Sequence, residues 1–368
     1  MLATARPNEI SKFQLKKGQV ALTKDSETRD DIGISTYIAD DFENVILGYH
    51  CALISPNKDI LDGCYLNALL HTDYAKKYFA CNASGSGQRY ALSVEALNSF
   101  PVPIIPLHEQ KQIGEIFSAL DKKIELNRQI NQNLEAMAKQ LYDYWFVQFD
   151  FPNEEGKPYK SSGGEMVWNE KLKRNIPVGW HCGNLFEIAV FTNGLACQKF
   201  RPKDDEVPLP VIKIREMHDG ISVDTEEVTS NIPESVKVYN GDVLFSWSAS
   251  LEVMLWAYGL GGLNQHIFKV TSANDFPKSF YYFQLLDYVD VFKKMAEARK
   301  TTMGHITQDH LQQSTIAIPD NKDIADKFEE LISPIFKQIV KLQEEISNLT
   351  KQRDELLPLL MNGQITIE

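Results

Sequence analysis

Apolar residues in this chain fall into two long helical stripes separated by shorter β-type runs. Over residues 108–148, Ile113, Phe117, Leu120, Ile124, Leu134, Leu141 and Trp145 recur in alternating steps of four and three. That spacing predicts the seam of a coiled coil. The middle of the stripe falls on Asn127 and Asn131, and polar seam residues set register at some cost in stability. Over residues 321–368 the stripe returns as Ile324, Phe328, Leu331, Ile335, Ile339, Leu342, Ile346, Leu349, Leu356 and Leu360. The step from Ile335 to Ile339 reads as a stutter that locally unwinds a supercoil. Pro334 and Pro358 predict a kink or a frayed end.

Each helix would be roughly 60 Å long at 1.5 Å per residue. A stripe of that length outruns the face of one small domain, so the expectation is that the two helices pack antiparallel on each other. Between them, residues 150–176 carry turn and breaker signals and read as a linker. Residues 207–214, 236–238, 242–247 and 267–270 read as short strands, and residues 278–297 as a helix. The predicted class is α+β: two heads of irregular sheet plus helices, joined by two long antiparallel coiled-coil helices in a pseudo-twofold arrangement. The predicted boundaries are 1–107 for the first head, 108–150 for its helix, 151–176 for the linker, 177–320 for the second head and 321–368 for the second helix.

The order of features repeats. Residues 84–148 run from a small-residue loop through Leu92-Ser93-x-x-x-Leu97 to a proline-rich strand ending at Pro106, then the first helix. Residues 298–361 run from Thr301-Thr302-x-Gly304 through Ile306-Thr307-x-x-x-Leu311 to a strand ending at Pro319, then the second helix. Ile113 matches Ile324, and Phe117 matches Phe328. A repeat of this length is a duplicated domain rather than a solenoid unit. Lys17-Gly18-Gln19-Val20 matches Asn240-Gly241-Asp242-Val243, yet far fewer residues precede the first match than separate the second from residue 176. The first head is therefore read as shortened at its N-terminus, as a genuine short form or through a start codon placed too far downstream.

Composition adjusts this picture in three places. Five cysteines without a CxxC pair fit free thiols in a reducing cytoplasm. No apolar stretch reaches the length needed to cross a bilayer, and no signal peptide is evident. The net charge of −12 argues against nucleic acid at first sight. Residues 321–368, however, carry six basic against nine acidic side chains, so the helices hold part of the negative charge and the heads can be locally basic.

Three stretches stand out: Phe100-Pro101-Val102-Pro103-Ile104-Ile105-Pro106-Leu107-His108-Glu109-Gln110, Leu141-Tyr142-x-x-Trp145-Phe146 and Ile176-Pro177-x-Gly179-Trp180. In these the chain resembles the specificity subunit of type I restriction-modification systems. The first is similar to that family's strand-to-helix junction, the second to the close of its central helix, and the third to the opening of its second recognition domain. Two features depart from the pattern: the short first head, and Pro319-Asp320-Asn321-Lys322 where the first junction has Leu-x-Glu-Gln. The resemblance implies two target-recognition domains that read the halves of a split site in double-stranded DNA, with the helices as a ruler. It also implies docking of two methyltransferase subunits and a nuclease-translocase subunit, which would carry S-adenosylmethionine, ATP and magnesium; no cofactor is expected on this chain.

The chemistry in the residues agrees with a directing role. The chain has no Walker loop, no Asn/Asp-Pro-Pro-Tyr/Phe motif and no HExxH or paired CxxC. His181-Cys182 is a poor catalytic pair, because neighbours in sequence rarely face each other. Candidate DNA contacts are Ser84, Ser86, Gln88 and Arg89 in one loop, and Lys293, Lys294, Arg299, Lys300, Thr301 and Thr302 at the equivalent place in the repeat. Arg and Lys suit guanine edges and phosphates, Gln suits adenine, and hydroxyls suit either. Lys213 and Arg215 alternate with apolar residues and could project from a strand. Solvated loops with ordinary charges are the plain alternative for all of these. Phe245, Trp247 and Trp256 read as core, whereas Tyr142, Trp145 and Phe146 could anchor a partner or cap the coil. Three other readings stay open: a non-catalytic coiled-coil scaffold for proteins, a fused enzyme whose site carries no recognisable motif, and a single-half-site specificity subunit acting as two copies.

Overall fold

The computed structural model describes residues 4–29, 31–85, 89–203, 205–248, 250–298, 306 and 308–361. In chain order the first part runs α1 (Pro7–Phe13), β1 (Val20–Thr23), β2 (Asp25–Ser26), β3 (Ser35–Tyr37), β4 (Cys51–Ile54), α2 (Gly63–Leu70), α3 (Asp73–Asn82), β5 (Ser84–Gly85), β6 (Tyr90–Ala91), α4 (Val94–Asn98) and α5 (Leu107–Tyr142). A π-helical turn, Asp143–Val147, extends α5. Then come β7 (Met166–Asn169), β8 (Arg174–Pro177), β9 (Trp180–Gly183), α6 (Leu185–Ile188), β10 (Ala189–Asn193), β11 (Leu209–Ile212), α7 (Ile214–Asp219), β12 (Glu227–Val228), β13 (Lys237–Val238), β14 (Val243–Ser246), β15 (Glu252–Leu255), β16 (Gly261–Leu263) and β17 (Ile267–Ser272). The chain closes with α8 (Lys278–Ala298), α9 (Gln308–Gln312), β18 (Ile316–Pro319) and α10 (Asp323–Met361). It forms two compact units, residues 1–126 with 348–368, and residues 127–347.

In the first unit, β1 is the central strand of an antiparallel sheet ordered β3-β1-β4. Val20 and Leu22 point into a core with Leu66, Leu69, Phe79 and Phe100. The helices over this sheet start where side chains can cap them: Asp62 accepts from the amides of Cys64 and Tyr65, and Thr72 from that of Ala75. A second cluster joins Tyr65, Ile113 and Phe117 to Leu357 and Leu360, so α5 and the end of α10 run antiparallel here. Arg353 Nη1 reaches Asp121 at 3.1 Å in the same sense.

In the second unit, β14 is again an inner strand, in an antiparallel sheet ordered β10-β17-β14-β15. A second sheet, β12-β11-β16-β13, contains a parallel pair, β11 with β16. The repeat is visible in the backbone: Gly18 and Gly241, just before β1 and β14, have φ of +92° and +85°. Glycine adopts that left-handed region without the Cβ clash that other residues meet. The α5–α10 pair is antiparallel here as well, with Asn131 Nδ2 donating to Ile339 O at 3.3 Å and Trp145 packed on Phe328.

Several expectations need correction. Leu331 is 50% exposed while Ile332 is fully buried. With Ala325, Phe328, Ile332, Ile335, Ile339, Leu342 and Ile346 as the seam, the steps alternate three and four throughout, and the stutter disappears. Near the C-terminus Leu357 is the buried neighbour, with Leu356 only half-buried. Pro334 and Pro358 are exposed, and both lie within the helical span of α10. On α5, Ile113, Phe117 and Ile124 are buried, and Leu120, Leu134 and Leu141 half-buried. On α10 Ile324 and Leu349 are half-buried, and Leu342 and Ile346 are buried. The segment read as a linker contains the β7–β8 hairpin, and Phe151 within it stacks on Trp180 at 5.6 Å.

The predicted strand ending at Pro106 does not form, whereas its counterpart β18 does. β18 pairs antiparallel with β9, the strand that opens the second head. Residues 4–19 hold α1 and no strand equivalent to β9, so residues 101–106 have no ladder to join.

Candidate nucleic-acid interface

The first candidate loop is a hairpin. β5 and β6 pair antiparallel, with Ser84 opposite Ala91 and Gly85 opposite Tyr90. Gly85 has φ +149°, and a Cβ there would lie 2.0 Å from the Arg89 carbonyl oxygen, so the turn needs glycine. Ser84 is exposed and its hydroxyl donates to Ala91 O at 3.3 Å. Ser86 and Gln88 lie outside the described residues.

Arg89 leaves the hairpin toward Asp25, because β2 pairs with β6 on its other edge. Its Nε donates to Asp25 Oδ1 at 2.6 Å, and its Nη2 lies 2.6 Å from His50 Nδ1. His50 Nδ1 is also 3.1 Å from Asp25 Oδ2. The hydrogen bond from Arg89 holds the Asp25 carboxyl below its usual range, against a smaller opposing effect of desolvation. Tyr49, 81% exposed, sits beside His50 with the Lys24 ammonium 5.0 Å from its ring. Nothing in the sequence joins Asp25, His50 and Arg89, which β-pairing alone brings together.

In the second head the equivalent loop follows α8. Lys293 and Lys294 are exposed on that helix, with Lys293 Nζ 3.9 Å from Asp290. Arg299, Lys300, Thr301 and Thr302 lie outside the described residues. Lys213 and Arg215 do not project from a strand, because β11 ends at Ile212 and α7 begins at Ile214. Lys213 Nζ meets Glu226 at 2.5 Å. Arg215 donates to Glu216 Oε1 through Nε at 3.0 Å and Nη2 at 2.7 Å. Glu216 itself is buried.

The aromatic expectations divide. Phe245 and Trp256 are fully buried in two different clusters, and Trp247 packs on that of Phe245. Tyr142, Trp145 and Phe146 are buried too, with Tyr142 stacked on Phe283 at 5.1 Å and Phe146 edge-on to Phe328 at 5.0 Å. They close the coil on the chain's own second head, which leaves them inaccessible as a partner anchor. His181 faces Asp320 at 2.6 Å and Glu187 at 3.1 Å and turns away from any pairing with Cys182. Desolvation lowers its pKa, but those two carboxylates outweigh it and raise the pKa overall. All five cysteines are free thiols. Among the described residues there is no cluster of metal-binding side chains and no helix long and apolar enough to cross a membrane.

The Pro106-to-Gln110 junction has a structural meaning. Gln110 is fully buried; its Oε1 accepts from Asp62 N at 2.9 Å and its Nε2 donates to Ile60 O and Ile105 O. It thereby ties the start of α5 to the cap of α2. A family model, the type I restriction modification DNA specificity domain, matches residues 5–136 and again residues 177–352. The chain belongs to that family. Each match takes in one head and much of the long helix that follows it. Among relatives, the chain is 25% identical to the type I restriction enzyme MjaIX specificity subunit of Methanocaldococcus jannaschii, over 84% of this chain and 71% of that protein. It is 24% identical to the HindI specificity subunit of Haemophilus influenzae, over 96% of this chain and 88% of that protein. The fold is similar to that of the type I restriction-modification S subunit from M. genitalium, with a TM-score of 0.57 at 15% identity, covering 95% of this chain and 84% of the other.

Proposed function

We propose that this chain is the DNA-reading component of a type I restriction-modification complex, each head taking one half of a bipartite target. The observation that carries the reading is the double match, in which one chain holds the specificity domain twice, each copy with its own helix. Reading requires basic and hydroxyl side chains at the DNA surface, and Ser84, Arg89, Lys293 and Lys294 are exposed in the two heads. In this reading the chain performs no catalysis. Two methyltransferase subunits carrying S-adenosylmethionine, and a nuclease-translocase using ATP and magnesium, supply the chemistry. The antiparallel helices act as the ruler that sets the spacer.

The test is a methylome of cells carrying the partner subunits, with and without this gene. Methylation at a split motif with a constant spacer should vanish on deletion. Loss at a single-part or symmetric motif would instead mean that the first head reads nothing and that two copies act together. An unchanged methylome in cells whose methyltransferase is expressed would sink the reading and favour a protein scaffold.

A further inference from the structure

The second unit contains a cavity of about 580 Å³ that DNA recognition does not use. Its walls come from α5, β15, α8 and α10, with Met254, Leu286, Phe336 and Ile339 among the apolar residues. That volume falls in the range of small-molecule sites, which pair an apolar lining with a few polar groups. The polar groups here are unevenly balanced. Lys139, on the α5 wall, is already held by Asp143 at 2.5 Å and Asp287 at 2.9 Å. Glu252 is 3.3 Å from His218. Glu135 lies one turn before Lys139, and among the described residues no cation is placed against it.

Glu135 lines the cavity and is exposed, yet the protein packed around its carboxyl raises its pKa by desolvation. Tyr282, which also lines the cavity, registers the field: burial raises the pKa of its hydroxyl, and the charges of Glu135 and Glu252 raise it further. The ring of Tyr282 stands edge-on to Phe336 at 5.0 Å, which builds an aromatic wall beside the carboxylates. An apolar cavity with an aromatic wall and an uncompensated carboxylate favours a cation carrying a hydrophobic body.

We propose that this cavity binds a small organic amine in its protonated form, with the ammonium on Glu135 and an aryl or alkyl tail against Met254, Phe336 and Ile339. The proposal goes beyond DNA recognition and does not depend on it. Because β15 and α8 of the second head and both long helices line the cavity, an occupant would tie that head to its coil.

The test uses the full chain and three isosteric probes at neutral pH: protonated 4-phenylbutylamine, neutral 4-phenylbutanol and anionic 4-phenylbutanoate. Calorimetric titration should show the amine binding about tenfold more tightly than the alcohol, the scale of one charge-assisted contact. Glu135→Gln should weaken the amine about tenfold and leave the alcohol unchanged, while Leu286→Trp should weaken both by filling the cavity. Thermal melting without ligand establishes that each variant is folded; should Leu286→Trp not fold, Glu135→Gln still decides the matter. Equal binding of the three probes, no saturable binding, or an unaltered amine affinity in folded Glu135→Gln would each overturn the proposal. None of these measurements involves DNA, so failure here leaves the specificity reading intact.

Discussion

Gln110 makes three hydrogen bonds from a fully buried side chain, and each partner is a backbone group. Gln110→Ala would orphan the Asp62 amide and leave the Ile60 and Ile105 carbonyls without this donor. Burying unpaired polar groups costs about 1–3 kcal/mol each, with part recovered by relaxation and water. We expect Gln110→Ala to destabilise the first unit by roughly 2–4 kcal/mol in urea denaturation. A loss below about 0.5 kcal/mol, the scale of an ordinary surface change, would show that the junction does not depend on this residue. The sequence marks Gln110 as part of a recurring junction but cannot tell its task, because the groups it satisfies lie up to 50 positions away. Arg89 illustrates the same limit: it is legible as a basic loop residue, but its engagement with Asp25 depends on a strand pairing that no local pattern encodes.

At the scale of elements, the long helices were the most legible part of the chain, since a seam of dozens of residues repeats one signal many times. The error was local. Leu331 and Ile332 are adjacent and equally apolar, so the pattern alone could assign either to the seam. Ile332 is fully buried in the core with Phe328, Phe336 and Ile339. Ile332→Ala should therefore cost about 2–5 kcal/mol, and Leu331→Ala less than about 0.5 kcal/mol, by thermal or urea melting. The reverse order would restore the stutter at residue 335. The failed strand at residues 101–106 has a different origin. Its apolar and proline pattern matches that of β18, and only the presence of β9 beside the latter separates a strand from an extended segment. Strand formation depends on a neighbour in space, so a repeat in sequence need not give a repeat in sheet.

At the scale of the whole molecule, the net charge of −12 has to be reconciled with a DNA partner. The local pairings bear on this: Arg89 is engaged by Asp25, Lys213 by Glu226 and Arg215 by Glu216. Phosphate neutralisation supplies most non-specific affinity for DNA, so a cation already held by a carboxylate contributes less until that pair opens. The acidic partners would then suppress binding to arbitrary sequence and leave discrimination to base contacts. Asp25 is the place to test this, since it engages Arg89 and His50 together. Asp25→Asn should raise affinity for non-cognate duplex by up to about tenfold in fluorescence anisotropy at fixed salt. Arg89→Ala should lower that affinity and reduce the slope of log K against log salt by about one. The double variant should follow Arg89→Ala, because the gain from Asp25→Asn acts through the released guanidinium. If instead Asp25→Asn strengthens binding equally in the presence and absence of Arg89, the effect is one of overall charge, and the pairing itself restrains nothing.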